Sequence, residues 1–354
     1  MAAAVLFTLS SSAQVSKTKE IHKDFKVQKG VNVEIENKYG KVQVLTWDKD
    51  SVVIDIDVRL KSKTQDRLNK AEANIKFDII NTGNYVTAKT VFASDKGALF
   101  SEIINIRESS FGPDDETKID YVVYVPKNCN LTLTNKFGDI YTADLSGRTI
   151  IDLSHGDLKA GEYTGGYTKV DVKYGKANIN YVQEGNLLAF YATFDIQKAG
   201  EISMESKSSE VNIYDVKQLK VDAKRDKYYI KKVSRFTATG SFTDYKIALL
   251  TDEIIMDTRY GTITINEIAV SFNYFKLTSK YSDVDVTFNS ACNFSFDMEA
   301  EGVTFIYPQA KAKLTKKFGQ TNQDMFVYTG RFGTGTGTAK VRFNMQSGNL
   351  TIKM

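Results

Sequence analysis

Most of the chain alternates between apolar and polar residues in short stretches. Alternation with a period of two places one side of a strand in a core and the other side in solvent. Clear examples are Leu131/Leu133, Val170/Val172, Val211/Ile213, Ile263/Ile265 and Val284/Val286. No helical spacing separates these stretches, so the crossover helices of a βαβ fold are not expected. The pattern therefore predicts an all-β protein.

A short motif recurs between the alternating stretches: a polar or basic residue, an aromatic residue, a glycine, a polar residue and an aliphatic residue. Residues 37–42 read NKYGKV and residues 135–140 read NKFGDI. The positions that align with the glycine are 138, 156, 175, 194, 209, 227, 243, 261, 282 and 302. Their mean spacing of about 18 residues is typical of a solenoid, whereas a propeller blade needs roughly 40. Pairs of units could mimic a blade, so a propeller and a sandwich stay as alternatives.

The glycine and the aromatic residue of each copy have separate predicted roles. Glycine suits a turn that needs a positive φ or has no room for a side chain. The aromatic ring is expected to stack on its counterpart one coil further on, since neighbouring strands lie about 4.8 Å apart. His155 holds the position that Phe137 and Tyr174 hold in other copies, which predicts a stacked ring. Together these features predict a parallel β-solenoid with repeats of about 18 residues.

Residues 14–120 differ from the repeats and are predicted to form a β-rich N-terminal cap. Strands are predicted at 31–36, 42–45 and 52–58, and a capping-box pattern at 62–65 introduces a short helix.

The predicted helix carries one apolar stripe, formed by Leu68, Ala71 and Ile75. We expect it to cover the first coil, because an exposed end strand invites pairing with other chains. Residues 107–118 are predicted to form a polar loop.

Residues 121–354 contain the solenoid repeats and a C-terminal cap. A Gly/Thr-rich segment at 330–338 precedes a predicted final pair of strands near 341–345 and 350–354.

The first residues resemble a secretion signal. Residues 2–9 are an apolar run, and Ser11 and Ala13 fit the small-residue positions before a cleavage site. Residues 1–13 are therefore predicted to be a signal peptide, with a short core strand as the alternative. The positively charged start of a signal peptide is missing, which indicates a truncated or misassigned beginning. No cysteine follows the run, so we expect export without a lipid anchor, to the periplasm, the cell surface or the medium.

The composition limits the classes of partner. Hydrophobic residues make up 42% of the chain and charged residues 25%, which fits a folded protein. The 47 basic and 43 acidic residues are mixed along the chain and give a net charge of +4, so no nucleic-acid footprint is present. No later segment approaches the roughly 18 apolar residues of a membrane helix, and no transmembrane segment is predicted.

The cysteines and histidines give no sign of a catalytic or metal site. Cys129 and Cys292 open equivalent stretches, CNLTL and CNFSF, about nine coils or roughly 43 Å apart in a solenoid. A disulfide needs Cα atoms within about 7 Å, so two free, mostly buried thiols are predicted. His22 and His155 lack a second histidine at metal-ligand spacing. No nucleophile or phosphate-loop motif is present, and no metal or cofactor is predicted.

The aligned copies place three aspartates in one equivalent position, and this acidic row is a candidate site. Asp139, Asp157 and Asp195 align in the position after the glycine. Other copies place different residues there, namely Lys176, Glu210, Tyr228, Tyr245, Thr262 and Asp283. Because the row is mixed in sign and broken, these carboxylates are predicted to be solvated turn residues.

The most basic run lies at 224–232 and reads KRDKYYIKK. Tyrosines among cations could hold an acidic glycan, and alternation also explains the run as the wet side of a strand. The candidate ligand face consists of Lys224, Arg225, Lys227, Tyr228, Lys231 and Lys232.

Several motifs resemble a known family. Residues 124–128 (YVPKN) and 131–140 (LTLTNKFGDI), followed by 145–147 (LSG) and 151–158 (IDLSHGDL), are similar to the entry of the putative-adhesin domain. That domain of unknown function is common in exported proteins of Gram-negative bacteria. The resemblance spans roughly residues 20–354 and is strongest from 120 to 180. It implies a right-handed β-solenoid at the surface or in the periplasm, and it supplies no catalytic or binding residues.

These features predict a non-catalytic exported protein that presents a rigid solenoid face to a glycan or to another envelope or surface protein. A β-helical carbohydrate-active enzyme and a purely structural envelope protein are the alternatives.

Overall fold

The computed structural model describes residues 14–93, 115–319 and 325–354. The predicted signal peptide and most of the predicted polar loop lie outside these ranges. Within them, no helix is long and apolar enough to cross a membrane.

The described residues form one short helix, α1 (Gln65–Asn74), a 3₁₀ turn at Gln309–Lys311 and a series of strands. The strands are β1 (Val15–Lys26), β2 (Asn32–Lys38), β3 (Val42–Trp47), β4 (Ser51–Ser62), β5 (Ile75–Asn81), β6 (Tyr85–Phe92), β7 (Glu116–Pro126), β8 (Asn130–Lys136), β9 (Ile140–Thr142), β10 (Thr149–Ser154), β11 (Leu158–Tyr163), β12 (Thr168–Lys173), β13 (Lys176–Phe190), β14 (Thr193–Lys207), β15 (Glu210–Lys224), β16 (Lys227–Ser241), β17 (Asp244–Ile268), β18 (Tyr274–Phe288), β19 (Phe294–Ile306), β20 (Ala312–Phe318), β21 (Met325–Phe332) and β22 (Ala339–Lys353).

The strands stack as the coils of an all-β, solenoid-like fold. In each coil a first strand forms face A, the chain turns a corner, and a second strand forms face B. β8, β10 and β12 lie in face A, while β9 and β11 lie in face B. From β13 onward each long strand bends and contributes to both faces. Neighbouring coils pair in parallel, which confirms the predicted solenoid and excludes the antiparallel blades of a propeller. The right-handed coiling stays a prediction.

The core lies between the two faces and consists of the inward side chains of every coil. Phe194, Ile196 and Ala199 point inward from face B, and Ile202 and Met204 do so from face A. Their outward neighbours are polar. The alternation read from the sequence therefore marks the core correctly, because side chains of a strand project to opposite sides in turn.

The corner residue of each coil has a left-handed backbone, and in most coils it is aromatic. The φ values are +59° for Phe137, +57° for His155 and +56° for Tyr174. Their rings stack, with centroids 5.0 Å apart for Phe137 and His155 and 4.8 Å apart for His155 and Tyr174. A left-handed φ costs an L-residue about 1–2 kcal/mol, and each stacked pair returns about 0.5–1.5 kcal/mol. The predicted stacking role of His155 is confirmed.

The full row of corner residues is called the corner ladder below. It consists of Tyr39, Phe137, His155, Tyr174, Tyr191, Ser208, Arg225, Phe242, Tyr260, Tyr281, Ser347 and Gly302.

The residue after the corner exists in two structural types. In the first type it is glycine, because the carbonyl oxygen of the preceding coil would lie 2.0 Å from a Cβ at Gly138 and 2.2 Å from one at Gly156. An aspartate follows Gly138 and Gly156, and Asp139 Oδ1 accepts the backbone N–H of Asp157 in the next coil at 2.9 Å. The glycine is therefore needed for close approach, while the positive φ falls on the aromatic residue.

In the second type the residue after the corner has a side chain. Ala192, Ser209 and Asp226 hold this position, and their carbonyl oxygens accept the backbone N–H groups of Glu210, Lys227 and Asp244 at 3.0 Å. The carbonyl is occupied in this way, so neither the glycine nor the capping aspartate is required. This difference explains why the sequence motif weakens between residues 190 and 245.

The structure corrects the alignment of the weak copies. The positions aligned at 194 and 227 are replaced by 192 and 226, so the equivalent positions 175, 192, 209 and 226 follow one another at equal steps. Gly302, aligned with the glycines, has a φ of +61° and lies opposite Ser347, so it occupies the corner position.

The N-terminal end of the stack is closed by antiparallel strands. β2 and β3 pair directly with β8 and β9. The sheet is therefore continuous between the predicted N-terminal cap (14–120) and the predicted solenoid repeats (121–354). Outside them, β6 and β7 pair with β2 and β3, followed by antiparallel β5 on one face and by β4 and β1 on the other.

Helix α1 joins β4 to β5 and buries Leu68 and Ala71. Its N-cap is Thr64, whose side chain accepts from Arg67 N. The predicted capping box had placed the cap at Ser62, but Ser62 ends β4 and donates to Asp115.

At the C-terminal end the coils are not in sequence order. β22 lies between β18 and β19 and is parallel to both. β21 and β20 follow β19 as antiparallel strands, and β20 is the edge strand. The predicted final pair of strands is one continuous strand that turns the corner at Ser347, where φ is +58°.

Both cysteines are free and buried, as predicted. Burial raises the pKa of the Cys129 thiol to about 12 and also raises the pKa of the Cys292 thiol. Since the thiolate is the reactive form, we expect neither thiol to react with an aromatic disulfide reagent in the native protein at about pH 8. Titration in guanidinium should then release two equivalents. Rapid reaction of the native protein would contradict this burial.

Candidate functional site

Face B carries two shallow depressions that share Asn178. The central depression has a volume of about 460 Å³ and is lined by Asp195, Asn212, Tyr214, Tyr229, Lys231 and Lys246, among others. The N-terminal depression has about 470 Å³ and is lined by Gln43, Tyr141, Lys159, Gly161 and Asn180, among others. We call the two together the face B channel.

The channel follows the axis of the solenoid because its floor is built from in-register residues. Each coil contributes one outward side chain to a single column, in the order Gln43, Tyr141, Lys159, Asn178, Asp195, Asn212, Tyr229 and Lys246. Seven steps at about 4.8 Å make this column roughly 34 Å long.

Small residues in the adjacent column deepen the channel at its N-terminal part. Ala143 and Gly161 stand where the central coils carry Tyr214 and Lys231. A side chain at Gly161 would also meet Asp144 Oδ1 at 2.5 Å. Local packing and an open surface therefore both depend on this glycine.

Some polar groups of the channel already have partners. Asp195 accepts from Asn212 Nδ2 at 2.8 Å and lies 2.6 Å from Lys176 Nζ. The hydrogen bond that Lys176 donates to Asp195 raises the pKa of the Lys176 ammonium group. Lys231 Nζ lies 3.9 Å from the centre of the Tyr214 ring and donates to the hydroxyl group of the same tyrosine at 2.5 Å. The negative charge of the Asp195 carboxylate is thus neutralised by Lys176.

Other polar groups of the channel are unused in the described part of the chain. The side chains of Asn178, Gln197, Asn266 and Lys246 make no hydrogen bond or ion pair there. Tyr229 is 41% exposed and stacks on no other described ring. The channel therefore presents spare amide groups, a spare ammonium group and an open aromatic ring.

The predicted basic run is divided by the fold. Lys224 ends a face A strand, Arg225 is at the corner, and Lys227 and Lys231 point outward from face B. Lys232 is exposed beside Lys231. The run is therefore not one continuous face.

Tyr228 does not belong to any ligand face, and this part of the prediction is wrong. It is fully buried, its hydroxyl lies 2.6 Å from Ser206 Oγ, and its ring stacks on Tyr245 at 5.4 Å. Burial raises the pKa of its phenol well above the ordinary value. The run was selected by composition, and successive side chains of a strand such as Lys227 and Tyr228 point to opposite sides. Tyr229 is the exposed tyrosine of the run.

The acidic row is broken, as predicted, but its members differ. The true positions hold Asp139, Asp157, Lys176, Thr193, Glu210, Lys227, Asp244, Thr262, Asp283 and Asn349. Asp195, Tyr228 and Tyr245 lie in other columns. Asp157 and Asp244 accept backbone N–H groups of the next coil at 3.0 Å, so they have a structural role beyond that of solvated turn residues.

Among residues 14–93, 115–319 and 325–354, no three His, Cys, Asp or Glu side chains gather where they could hold a metal ion. His22 Nδ1 lies 2.6 Å from Asp55 Oδ1 at the exposed N-terminal end. The channel itself was not found from the sequence. The outward column, which recurs once per coil, was the available signal, and it requires the correct register to be recognised.

Comparisons with known proteins give no family model and no curated protein that matches this chain. Similar solved structures include two crystal structures. One is described as a putative cell adhesion protein from Clostridium sporogenes, with 7% identity, coverage of 95% of this chain and 99% of that one, and a TM-score of 0.17. The other is described as a putative adhesin from Bacteroides fragilis, with 12% identity, coverage of 94% and 97%, and a TM-score of 0.26.

Both descriptions agree with the family resemblance seen in the sequence. The solenoid-like fold is seen in the parallel strand pairing of this chain itself.

Proposed function

We propose that this protein is a non-catalytic, exported binding protein of the adhesin type, and that its face B channel binds an extended glycan. The observation that carries the proposal is the channel itself, an open column roughly 34 Å long with spare amide groups and exposed tyrosines. Export and a position at the cell surface or in the periplasm are part of the same proposal.

The chemistry of the channel suits a sugar chain. A sugar ring has an apolar C–H side and a rim of hydroxyl groups, and a tyrosine ring provides an apolar body for the first. Amide groups both donate and accept, as hydroxyl groups require. Lys246 and Lys159 add positive charge, while Asp195 is neutralised by Lys176. An acidic glycan therefore fits better than a neutral one.

The proposal is tested by a glycan array with the wild-type protein and a Tyr229→Ala variant. We expect the variant to lose binding about tenfold, which corresponds to about 1.4 kcal/mol. Lys220→Ala is the matched control, because Lys220 is an exposed side chain of the same coil on face A. Equal binding by all three proteins, or no binding to any glycan, would contradict the proposal.

A carbohydrate-active enzyme would bind the same class of ligand, so the two functions need a second measurement. Incubation of each bound glycan with the protein, followed by a reducing-sugar assay, separates them. We expect binding without release of reducing ends. Release that depends on an intact channel would replace the proposed function by the enzymatic one.

A further inference from the structure

The corner ladder is interrupted in its middle. The rings from Tyr39 to Tyr191 stack without a gap, with centroids 4.8 to 5.5 Å apart, and Phe242, Tyr260 and Tyr281 form a second stack at 4.9 and 5.1 Å. Ser208 and Arg225 occupy the two positions between these stacks.

Ser208 is in line with the corner residues on either side, Tyr191 and Arg225. The N–H of Tyr191 donates to Lys207 O, and that of Ser208 donates to Lys224 O, both at 3.0 Å, as at the other corners. The φ of Ser208 is +52°, close to the +53° of Tyr191. A hydroxymethyl group thus stands where the neighbouring coils carry a ring. We call the resulting space the Ser208 notch.

The notch has one aromatic wall and a cationic surround. Tyr191 is 50% exposed, and no ring covers its side that faces Ser208. Within the described residues, none of the four cations beside the notch has a side-chain hydrogen bond or ion pair. The carboxylates beside it are those of Glu210, which is exposed, and Asp226, which is buried and accepts the backbone N–H groups of Ser209 and Lys224 at 2.7 Å. The cations are Lys207, Lys224, Arg225 and Lys227.

The height of the notch matches one flat ring. Tyr191 and Arg225 are two coil steps apart, which is roughly 10 Å. One planar ring placed midway would stack at the spacing that the ladder itself uses. Arg225 is positioned to cover the other side, since guanidinium groups stack on aromatic faces.

We propose that the Ser208 notch binds a small aromatic acid, with its ring inserted between Tyr191 and Arg225 and its anionic group held by the surrounding lysines. This site is separate from the face B channel and does not depend on the proposed glycan binding.

A second uncovered ring in the ladder provides an internal control. Tyr281 is 52% exposed, and its next ladder position is Ser347, with a φ of +58°. The flanking positions there include Asp283 and Glu301, with Lys280 as the one cation among them. This notch has the same small residue without the positive surround.

The test is ligand-observed NMR with sodium benzoate as the probe and benzamide as its neutral counterpart. We expect benzoate to bind the wild-type protein with a Kd of about 1 mM, the range for a ligand of this size, and to bind more tightly than benzamide. Ser208→Phe should abolish benzoate binding, because its ring fills the notch at a backbone position that elsewhere holds aromatic residues. Ser347→Phe should leave binding unchanged.

A charge variant separates the electrostatic part from the stacking part. Lys207→Gln combined with Lys224→Gln should weaken benzoate binding by about two- to fivefold per cation, the effect of an exposed ion pair, while Arg225 keeps its stacking role. Thermal unfolding followed by circular dichroism checks that all variants fold. Undiminished benzoate binding by folded Ser208→Phe, equal affinity for benzamide, or absence of benzoate binding to the wild-type protein would each overturn the proposal.

Discussion

Asn344→Pro should destabilise the protein by about 3 kcal/mol or prevent its folding. Asn344 lies in β22, which pairs on one side with β18 and on the other with β19. Proline has no N–H and is not accommodated in a central strand. Loss of β22 would also remove one of the two neighbouring strands of β18 and of β19. Chemical denaturation measures the change.

Two controls isolate the effect of the strand position. Asn344→Ala removes the side chain, including its bond to Glu299, and keeps the N–H. Lys316→Pro places proline in the edge strand β20, where hydrogen-bonded pairs such as Lys311 with Gly333 and Gly319 with Met325 leave the N–H of Lys316 facing outward. We expect both controls to change stability by less than about 1 kcal/mol. A loss for Lys316→Pro equal to that for Asn344→Pro would contradict the inserted position of β22.

Gly138→Ala should be similarly damaging, again by about 3 kcal/mol. A Cβ at this position would lie 2.0 Å from the carbonyl oxygen of Gly40 and 2.6 Å from its carbonyl carbon. Both atoms belong to the backbone of the preceding coil, so only separation of the two coils relieves the contact. That separation would disturb the stacking of Tyr39 on Phe137, whose centroids are 5.5 Å apart.

Gly166→Ala is the matched control. It lies in a turn of the same solenoid, its φ is not in the left-handed region, and nothing stands within 4 Å of a Cβ there. We expect a change within about 1 kcal/mol and of either sign, since alanine also reduces the entropy of the unfolded chain. Thermal melts of the two variants side by side decide the matter. An unchanged stability of Gly138→Ala would mean that the close approach of two backbones is not the reason for glycine in the motif.

The strong copies of the motif were predictable because one physical constraint acts on each residue. The close approach of two backbones selects Gly138, and ring stacking selects Phe137. The weak copies could not be aligned from the motif alone, since the second corner type uses a backbone carbonyl and accommodates side chains as different as those of Ala192 and Asp226. An alignment error of one residue then put Tyr228 in the position of Lys227. The two side chains point to opposite sides of the strand, because the side-chain period is two.

The binding surfaces required the three-dimensional register. Neither Asn178 nor Tyr229 is unusual in the sequence, and they are separated by several coils of chain. They lie in one column because the successive coils between them are equal in length. The Ser208 notch was hidden for a related reason, as a serine between strong motifs resembles a degenerate copy rather than a gap between stacked rings.

The sequence by itself determined the strands, the approximate length of the repeat, the free and buried state of the two cysteines and the stacked position of His155. These follow from interactions within a coil and between adjacent copies, and such interactions leave a periodic trace in the chain. Only the tertiary structure decided that β22 lies between β18 and β19, that Tyr228 is buried, and which side chains share the face B channel. Those features depend on pairing between distant segments, and the pairing is set by the packing of the whole stack rather than by any local pattern.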